Sequence, residues 1–244
     1  MLINLYIKAG GDSAVDKTFS LFIDLDKLKN SKDSIIDLTR SMDSSLEVYS
    51  EPGYSDPEFK INDWCSIHDR GFLVSQVIMG TQTGTHIDAP AHFIEEGATM
   101  NSLIPGDLMG RYFLIDMDNS SFDESVISNY TGESFLFIKS CRSRAMLSRN
   151  FFERLLSLNA KVWVTAGECG IINEEEFSFN RGLAFMGKFL VEDLDMNMAA
   201  KISKGGYIFA MPLKLMDTGG APCRVAVIQG KQQTPGTRKS LADY

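Results

Sequence analysis

Thr81-Gln82-Thr83-Gly84-Thr85-His86-Ile87-Asp88-Ala89-Pro90-Ala91-His92 gathers two of the chain's three histidines and an aspartate into one short window. It follows Leu73-Val-Ser-Gln-Val-Ile-Met79, a run with strand character that feeds directly into Gly80. A strand ending in a glycine-bearing turn is a common way of presenting side chains to a pocket. His86 and Asp88 are two residues apart, so in extended backbone both side chains leave on the same side and can converge on one cation. Imidazole nitrogen with carboxylate oxygen is a normal ligand set for zinc or manganese. His92, past Pro90, is close enough to act as an acid or base beside a bound substrate. A single loop histidine is more often an ordinary hydrogen-bonding residue, so it is the grouping that carries the chemical argument.

Outward from this window the chain alternates strands and helices. Ile35-Ile36-Asp37-Leu38 reads as a short strand, and Pro52, Gly53 and Pro57 punctuate a long loop after it. Tyr112–Met117 and Phe135–Lys139 are compact apolar runs of buried-strand type, with a short helix predicted between them from Asp123 to Asn129. Ser148 is a helix N-cap, and the apolar face of residues 151, 152, 155, 156 and 158 predicts a helix ending near Leu158. Strands follow at Val162–Thr165 and Phe189–Val191, then a helix over Asp195–Ile202, a strand at Tyr207–Met211 and a closing strand at Val225–Ile228. This order predicts an α/β fold with a mixed sheet in one domain spanning residues 35–244. Residues 1–34, lysine- and aspartate-rich and regular only at Phe19–Asp24, are expected to form an N-terminal appendage.

The totals exclude several classes. With 244 residues, 44% hydrophobic and 23% charged, the chain has the balance of a globular domain with a sizeable core. Its net charge of −8 and scattered basic residues argue against nucleic acid as a partner. The four cysteines, Cys65, Cys141, Cys169 and Cys223, form no close pair and read as free thiols of a reducing compartment. The apolar start of the chain is too short for a signal peptide, and no window approaches the length of a membrane span, so the expected location is the cytoplasm, with no membrane partner.

The central window strongly resembles the signature His-x-Gly-Thr-His-x-Asp-x-Pro-x-His of the metal-dependent cyclase family, which includes bacterial kynurenine formamidase and isatin hydrolase. Further segments resemble that family: Ile36-Asp37-Leu38-Thr39 and Val48-Tyr49 its opening strand, and Pro105–Gly110 its Gly-Asp-Leu turn. Met211–Lys214 and Gly220–Val225 are similar to its closing strands, so the match runs from about Ile35 to Ile228. The resemblance implies mixed β-sheets flanked by helices, in a swivelling β/β/α-like single domain. It also implies a homo-oligomer, a dimer or tetramer, and hydrolysis of a small amide, lactam or lactone by metal-activated water. Residue by residue, His86 and Asp88 match metal ligands, His92 the catalytic acid/base, and Glu192 a distal carboxylate that serves as ligand and catalytic group.

Two positions depart from the family pattern. Gln82 stands where the family has its first histidine, and Asn180 where it has a distal one. An amide oxygen is a weak, neutral ligand beside imidazole nitrogen, so Gln82 is at best a weak ligand and zinc affinity should fall. The remaining oxygen-rich set favours manganese or magnesium, if it holds any metal. A metal-free enzyme would use His92, Glu192 and His86 as acid and base, which suits cyclisation or dehydration; a third reading is a ligand-binding pseudo-enzyme. The persistence of His86, Asp88, His92 and Glu192 together favours an enzyme acting on a small molecule.

Four more residues are candidates for the pocket. Asn180 enters through its place in the pattern, and Glu168 follows the Val162–Thr165 strand. Trp64 and Phe72 precede the motif as an aromatic wall, although core packing is the commoner use of such side chains. Cys169 reads as inert packing and His68 as a surface residue bonded to Asp69.

Overall fold

A computed structural model describes residues 35–229. The chain divides into units of residues 1–32 and 33–244, and all described residues belong to the second. The expected appendage and its regular piece Phe19–Asp24 lie outside the described residues.

The first strands are β1 (Ile35–Asp37), β2 (Ser50–Glu51), β3 (Tyr54–Ser55) and β4 (Lys60–Cys65). A four-residue helix α1 (Ile67–Arg70) leads to β5 (Val74–Ile78), and β6 (His86–Asp88) is the motif itself. Next come β7 (Met109–Asp116), β8 (Phe135–Lys139), β9 (Ala145–Leu147), helix α2 (Arg149–Leu156) and β10 (Val162–Ala166). The rest is β11 (Cys169–Ile171), α3 (Ser178–Phe185), β12 (Phe189–Glu192), α4 (Met196–Ala199), β13 (Gly206–Pro212) and β14 (Gly220–Gln229).

The main sheet runs β1-β14-β13-β7-β8-β10-β12-β6, and β6 pairs back onto β14, so the strands other than β1 close into a barrel. The centre, β7-β8-β10-β12, is parallel, whereas β13, β14 and β6 pair antiparallel. A mixed sheet was expected from the alternation of elements. Its closure depends on three-residue β6 slotting between β12 and β14, where the loop-like Gly84 and Pro90 on either side obscure a strand in the sequence.

Closure explains why Phe135-Leu-Phe-Ile-Lys139 is buried at every residue, since both faces of the strand are covered. Phe135, Phe137, Val162, Val164, Phe189 and Val191 join the core inside the barrel. Their neighbours Leu136, Ile138, Trp163 and Leu190 belong to a second core on the outer face, beneath Phe151, Phe152 and Leu155 of α2 and Phe179 and Leu183 of α3. Each such large side chain contributes roughly 1.5–3 kcal/mol by leaving water. Ser148 caps α2 as expected, its hydroxyl accepting from the Phe151 N–H at 3.1 Å.

Two helix expectations shrink. Glu124–Asn129 is a 3₁₀ segment and Asp195–Ile202 holds only the single turn of α4. The strand expected at Leu73–Met79 forms as β5, but it leaves the barrel and, among the described residues, pairs only with β4 as a two-stranded hairpin. Among the described residues no helix is long and apolar enough to cross a membrane.

Candidate active site

Ile87 is fully buried in the barrel interior, so the alternation of β6 sends His86 and Asp88 to the outer face. Across the sheet, Glu192 is the register partner of His86 on β12, and Gly220 and Pro222 are the partners of Asp88 and His86 on β14. Residues 88 and 192 are therefore brought together by strand register, although more than a hundred positions separate them in the chain.

Gly84 takes a left-handed conformation at φ +63°, which a side chain resists, and this bend turns the loop into β6. Its carbonyl lies 2.7 Å from His86 Nδ1. A carbonyl only accepts, so Nδ1 carries a proton and Nε2 is aimed at the carboxylates. Nε2 is 3.4 Å from Glu192 Oε1 and 3.6 Å from Asp88 Oδ1. Yet among the described residues His86 Nε2 and Asp88 Oδ2 are both buried without a hydrogen-bond partner. Burial opposes a charged His86, but Glu192 and Asp88 outweigh it and hold its pKa at about 9. Burial, with the Glu192 charge beside it, pushes Asp88 up to about 7.

A divalent cation suits this arrangement. One imidazole nitrogen and two carboxylates present ligand atoms all within 4.8 Å of one another, and among the described residues a nitrogen of His86 and an oxygen of Asp88 are buried without a partner. A cation would relieve the repulsion that raises Asp88 and would use the Nε2 lone pair left by the Gly84 bond. The set is oxygen-rich, as the chain's departures from the family pattern lead one to expect.

Gln82 sits in the same site. Its Oε1 accepts from the Thr81 hydroxyl at 2.5 Å, which turns Nε2 toward Asp88 Oδ1 at 3.3 Å and His92 Nδ1 at 3.4 Å. The amide thus presents donor hydrogens to the site and keeps its oxygen, the atom a weak ligand would use, turned toward Thr81. Room for it comes from Gly220, where a Cβ would fall 2.5 Å from Gln82 Nε2. Asn180, on α3, donates from Nδ2 to Glu192 Oε2 at 3.4 Å and lines a small cavity with Asp88, Phe93 and Leu190.

His92 ends a short 3₁₀ turn, Pro90–His92, directly after β6. It is partly exposed, its Nε2 is 4.0 Å from Asp88 Oδ2, and burial of its ring holds its pKa below the ordinary imidazole value. The side chain is therefore neutral near pH 7 and able to take up a proton.

The aromatic wall differs from expectation. Trp64 and Phe72 are 71% and 58% exposed on the β4–β5 hairpin, because that hairpin turns out from the barrel instead of passing over it. The rings beside the site are those of Phe93, Phe177 and Tyr49. Phe93 packs edge-on to His92 at 4.5 Å between centroids, and Phe177 stands 5.9 Å from both Phe93 and Tyr49. Phe177 has φ +62°, a strain on the order of 1–3 kcal/mol for a non-glycine residue. Only the adjacency of Phe93 to His92 hinted at this row in the sequence.

Glu168 also lies elsewhere. Its side chain is 80% exposed and reaches Arg144 at 3.7 Å, since β11 turns it outward. Cys169 is half-buried and its thiol pKa is raised by burial, in keeping with inert packing. His68 is on the surface, 3.4 Å from Asp69.

A family model described as "Putative cyclase" matches residues 36–135, which include the motif. An uncharacterised protein of Methanocaldococcus jannaschii, MJ0783, is 28% identical over 203 residues, covering 80% of this chain and 98% of that protein. A kynurenine formamidase of Bacillus cereus is 23% identical over 206 residues, covering 79% and 96%. Among solved structures, isatin hydrolase A from Labrenzia aggregata superposes with a TM-score of 0.68 at 20% identity, covering 85% of this chain and 99% of that one. A potential metal-dependent hydrolase with cyclase activity superposes at 0.61 and 23% identity, covering 81% and 98%. The chain is thus similar to the cyclase family, over residues 36–135 by the family model and over about four fifths of its length by relatives, and it shares the fold of isatin hydrolase A.

Proposed function

We propose that this protein hydrolyses a carbon–nitrogen or carbon–oxygen acyl bond in a small, ring-bearing amide, lactam or lactone, with a divalent cation, manganese before zinc, held by His86, Asp88 and Glu192. The observation that carries the proposal is the pair of buried atoms without a partner among the described residues, His86 Nε2, 3.4 Å from Glu192, and Asp88 Oδ2, 4.0 Å from the ring of a neutral His92. When bound, the cation supplies Lewis-acid polarisation and a lowered water pKa.

The chain's own residues account for the rest. His92 accepts the proton of the attacking water and then delivers it to the departing nitrogen or oxygen, so its ring begins and ends neutral. In the resting site Gln82 Nε2 donates toward His92 Nδ1, which leaves the neutral ring's proton on Nε2, and this contact is given up when Nδ1 takes the proton of the water. Phe93, Phe177 and Tyr49 offer a row of rings, inclined at 38° and 72° to one another, against which a substrate ring can pack. Support from relatives is their nature, a kynurenine formamidase and isatin hydrolases.

The test is a panel of N-formyl arylamines, lactams and lactones incubated with protein stripped by chelator and then reloaded with Mn²⁺ or Zn²⁺. The expected result is turnover restored by Mn²⁺. In His92→Gln, kcat should fall ~10²–10⁴-fold with little change in metal affinity. Turnover unaffected by exhaustive chelation would overturn the metal assignment.

We also propose a homo-oligomer in which the β4–β5 hairpin is the contact arm. Ile61, Trp64, Ile67, Phe72, Leu73 and Val77 on it are each at least half exposed, and an isolated hairpin is marginal in water.

A further inference from the structure

We propose that Arg40, Thr85 and Asp193 form a clamp that aims the Glu192 carboxylate at His86, with Arg40 as a positioning residue more than thirty positions ahead of the motif. The inference rests on the cation site proposed above, because aiming Glu192 matters most if it must meet an ion also held by His86 and Asp88.

Glu192 is the last residue of β12, and the chain must turn sharply right after it. It does so through Asp193, which has φ +61°, a left-handed conformation that aspartate tolerates better than most residues but that still needs holding. Three short contacts hold it. The Thr85 hydroxyl donates to the Asp193 carbonyl at 2.6 Å and accepts from the Arg40 backbone N–H at 2.9 Å. The Arg40 guanidinium then reaches the Asp193 carboxylate at 2.9 Å. Thr85 directly precedes His86 and is 1% exposed, so one buried hydroxyl links the residue before one ligand to the residue after the other.

The segment that carries Arg40 is itself anchored. Asp195 N–H donates to Leu38 O at 2.8 Å, Thr39 bridges to Leu194, and the Thr39 hydroxyl accepts from Val225 N–H at 2.9 Å. Residues 38–40 therefore lie as a strap across 193–195 and tie that turn to β14. The strap's backbone contacts suffice for its place in the fold. The Arg40 side chain adds an ion pair whose members are 33% and 48% exposed, and such a pair contributes little to stability. What it does constrain is the orientation of the turn on which Glu192 depends, in the way outer hydrogen-bond partners orient metal ligands.

The separation of these two effects makes the clamp testable. Mn²⁺ affinity is read by calorimetric titration and thermal stability by melting in chelator, for the native chain, Arg40→Met, Arg40→Lys and Asp193→Asn. Arg40→Met and Asp193→Asn should each weaken Mn²⁺ binding roughly 10- to 100-fold while the metal-free melting temperature stays within a few degrees of native. Arg40→Lys, which keeps the charge, should recover part of the affinity, and combining Arg40→Met with Asp193→Asn should add little to either alone. Unchanged affinity in Arg40→Met, with the native chain binding normally, overturns the clamp and leaves the cation site standing. A melting temperature that collapses in step with affinity also overturns it, since Arg40 would then be a structural residue. Absence of Mn²⁺ binding by the native chain overturns the cation site and the clamp with it.

Discussion

Glu192 and His86 face each other as register partners across the β12–β6 pairing, with Oε1 and Nε2 3.4 Å apart. The pairing sets two carboxylates and an imidazole on one outer face of the barrel, and the consequences for pH, metal choice and packing follow from that crowding.

The metal-free protein should lose stability as pH rises. Folding raises Asp88 from 3.8 to about 7 and His86 from 6.5 to about 9. In each case the folded state binds a proton more tightly than the unfolded chain. The contribution of Asp88 is complete below pH 3.8 and lost as pH rises through about 7, and that of His86 is complete below pH 6.5 and lost through about 9. Melting in chelator should therefore show a decline from pH 6 to 9 of a few kcal/mol, in which the two groups act together. Saturating Mn²⁺, which competes with the protons, should remove or reverse the slope. A flat profile without metal would mean that the carboxylates do not press on His86 as the distances indicate.

Zinc should bind the native chain weakly, and the combination of Gln82→His with Asn180→His should bind it much more tightly. The two amides lie against the two carboxylates, Gln82 on Asp88 at 3.3 Å and Asn180 on Glu192 at 3.4 Å, where imidazoles would complete a nitrogen-rich set. The gain should be on the order of a hundredfold or more, since even outer partners of a ligand are worth ten- to a hundredfold. Calorimetric titration of zinc into both proteins decides it. Nanomolar, stoichiometric binding by the native chain would show that Gln82 and Asn180 are not defects.

Gly220→Ala should disturb the site from the opposite strand. An added Cβ would fall 2.5 Å from Gln82 Nε2, 2.9 Å from Ile87 O and 3.2 Å from Asp88 Oδ1. Overpacking of this kind costs about 1–3 kcal/mol, and here the backbone contact to Ile87 cannot relax as the Gln82 side chain can. Chemical denaturation should show the loss, and Gln82→Ala in the same background should recover only part of it. A Gly220→Ala protein as stable as native would mean that β14 has slack at this point.

Light scattering should give a mass that is a multiple of 27.1 kDa at micromolar concentration, and Trp64→Ser with Phe72→Ser should shift it toward the monomer. Both side chains are more than half exposed on a hairpin that pairs with no other strand among the described residues. A native mass at 27.1 kDa would leave the exposed apolar face without the partner assigned to it.

The local chemistry follows from residue order alone. Period-two alternation is intrinsic to an extended chain, so His-Ile-Asp already required His86 and Asp88 to share a face opposite Ile87, whatever sheet they joined. The apolar runs at Phe135–Lys139 and Val162–Ala166 likewise required burial on two faces, and Ser148 capped its helix through bonds spanning three residues. Glu192 was legible only through the family resemblance, because nothing near it in the chain marks it as a ligand.

The remaining features depend on register between distant segments. Sheet closure through β6 brought Glu192 opposite His86 and Gly220 opposite Asp88, and no local pattern encodes which strands become neighbours. The same closure left β5 outside the barrel, carrying Trp64 and Phe72 away from the site where a reading along the chain placed them. In their stead it set Phe93, Phe177 and Tyr49 beside His92 and strapped Arg40 over Asp193. Side-chain direction follows from the backbone of a few residues, whereas side-chain company follows from how the whole sheet closes.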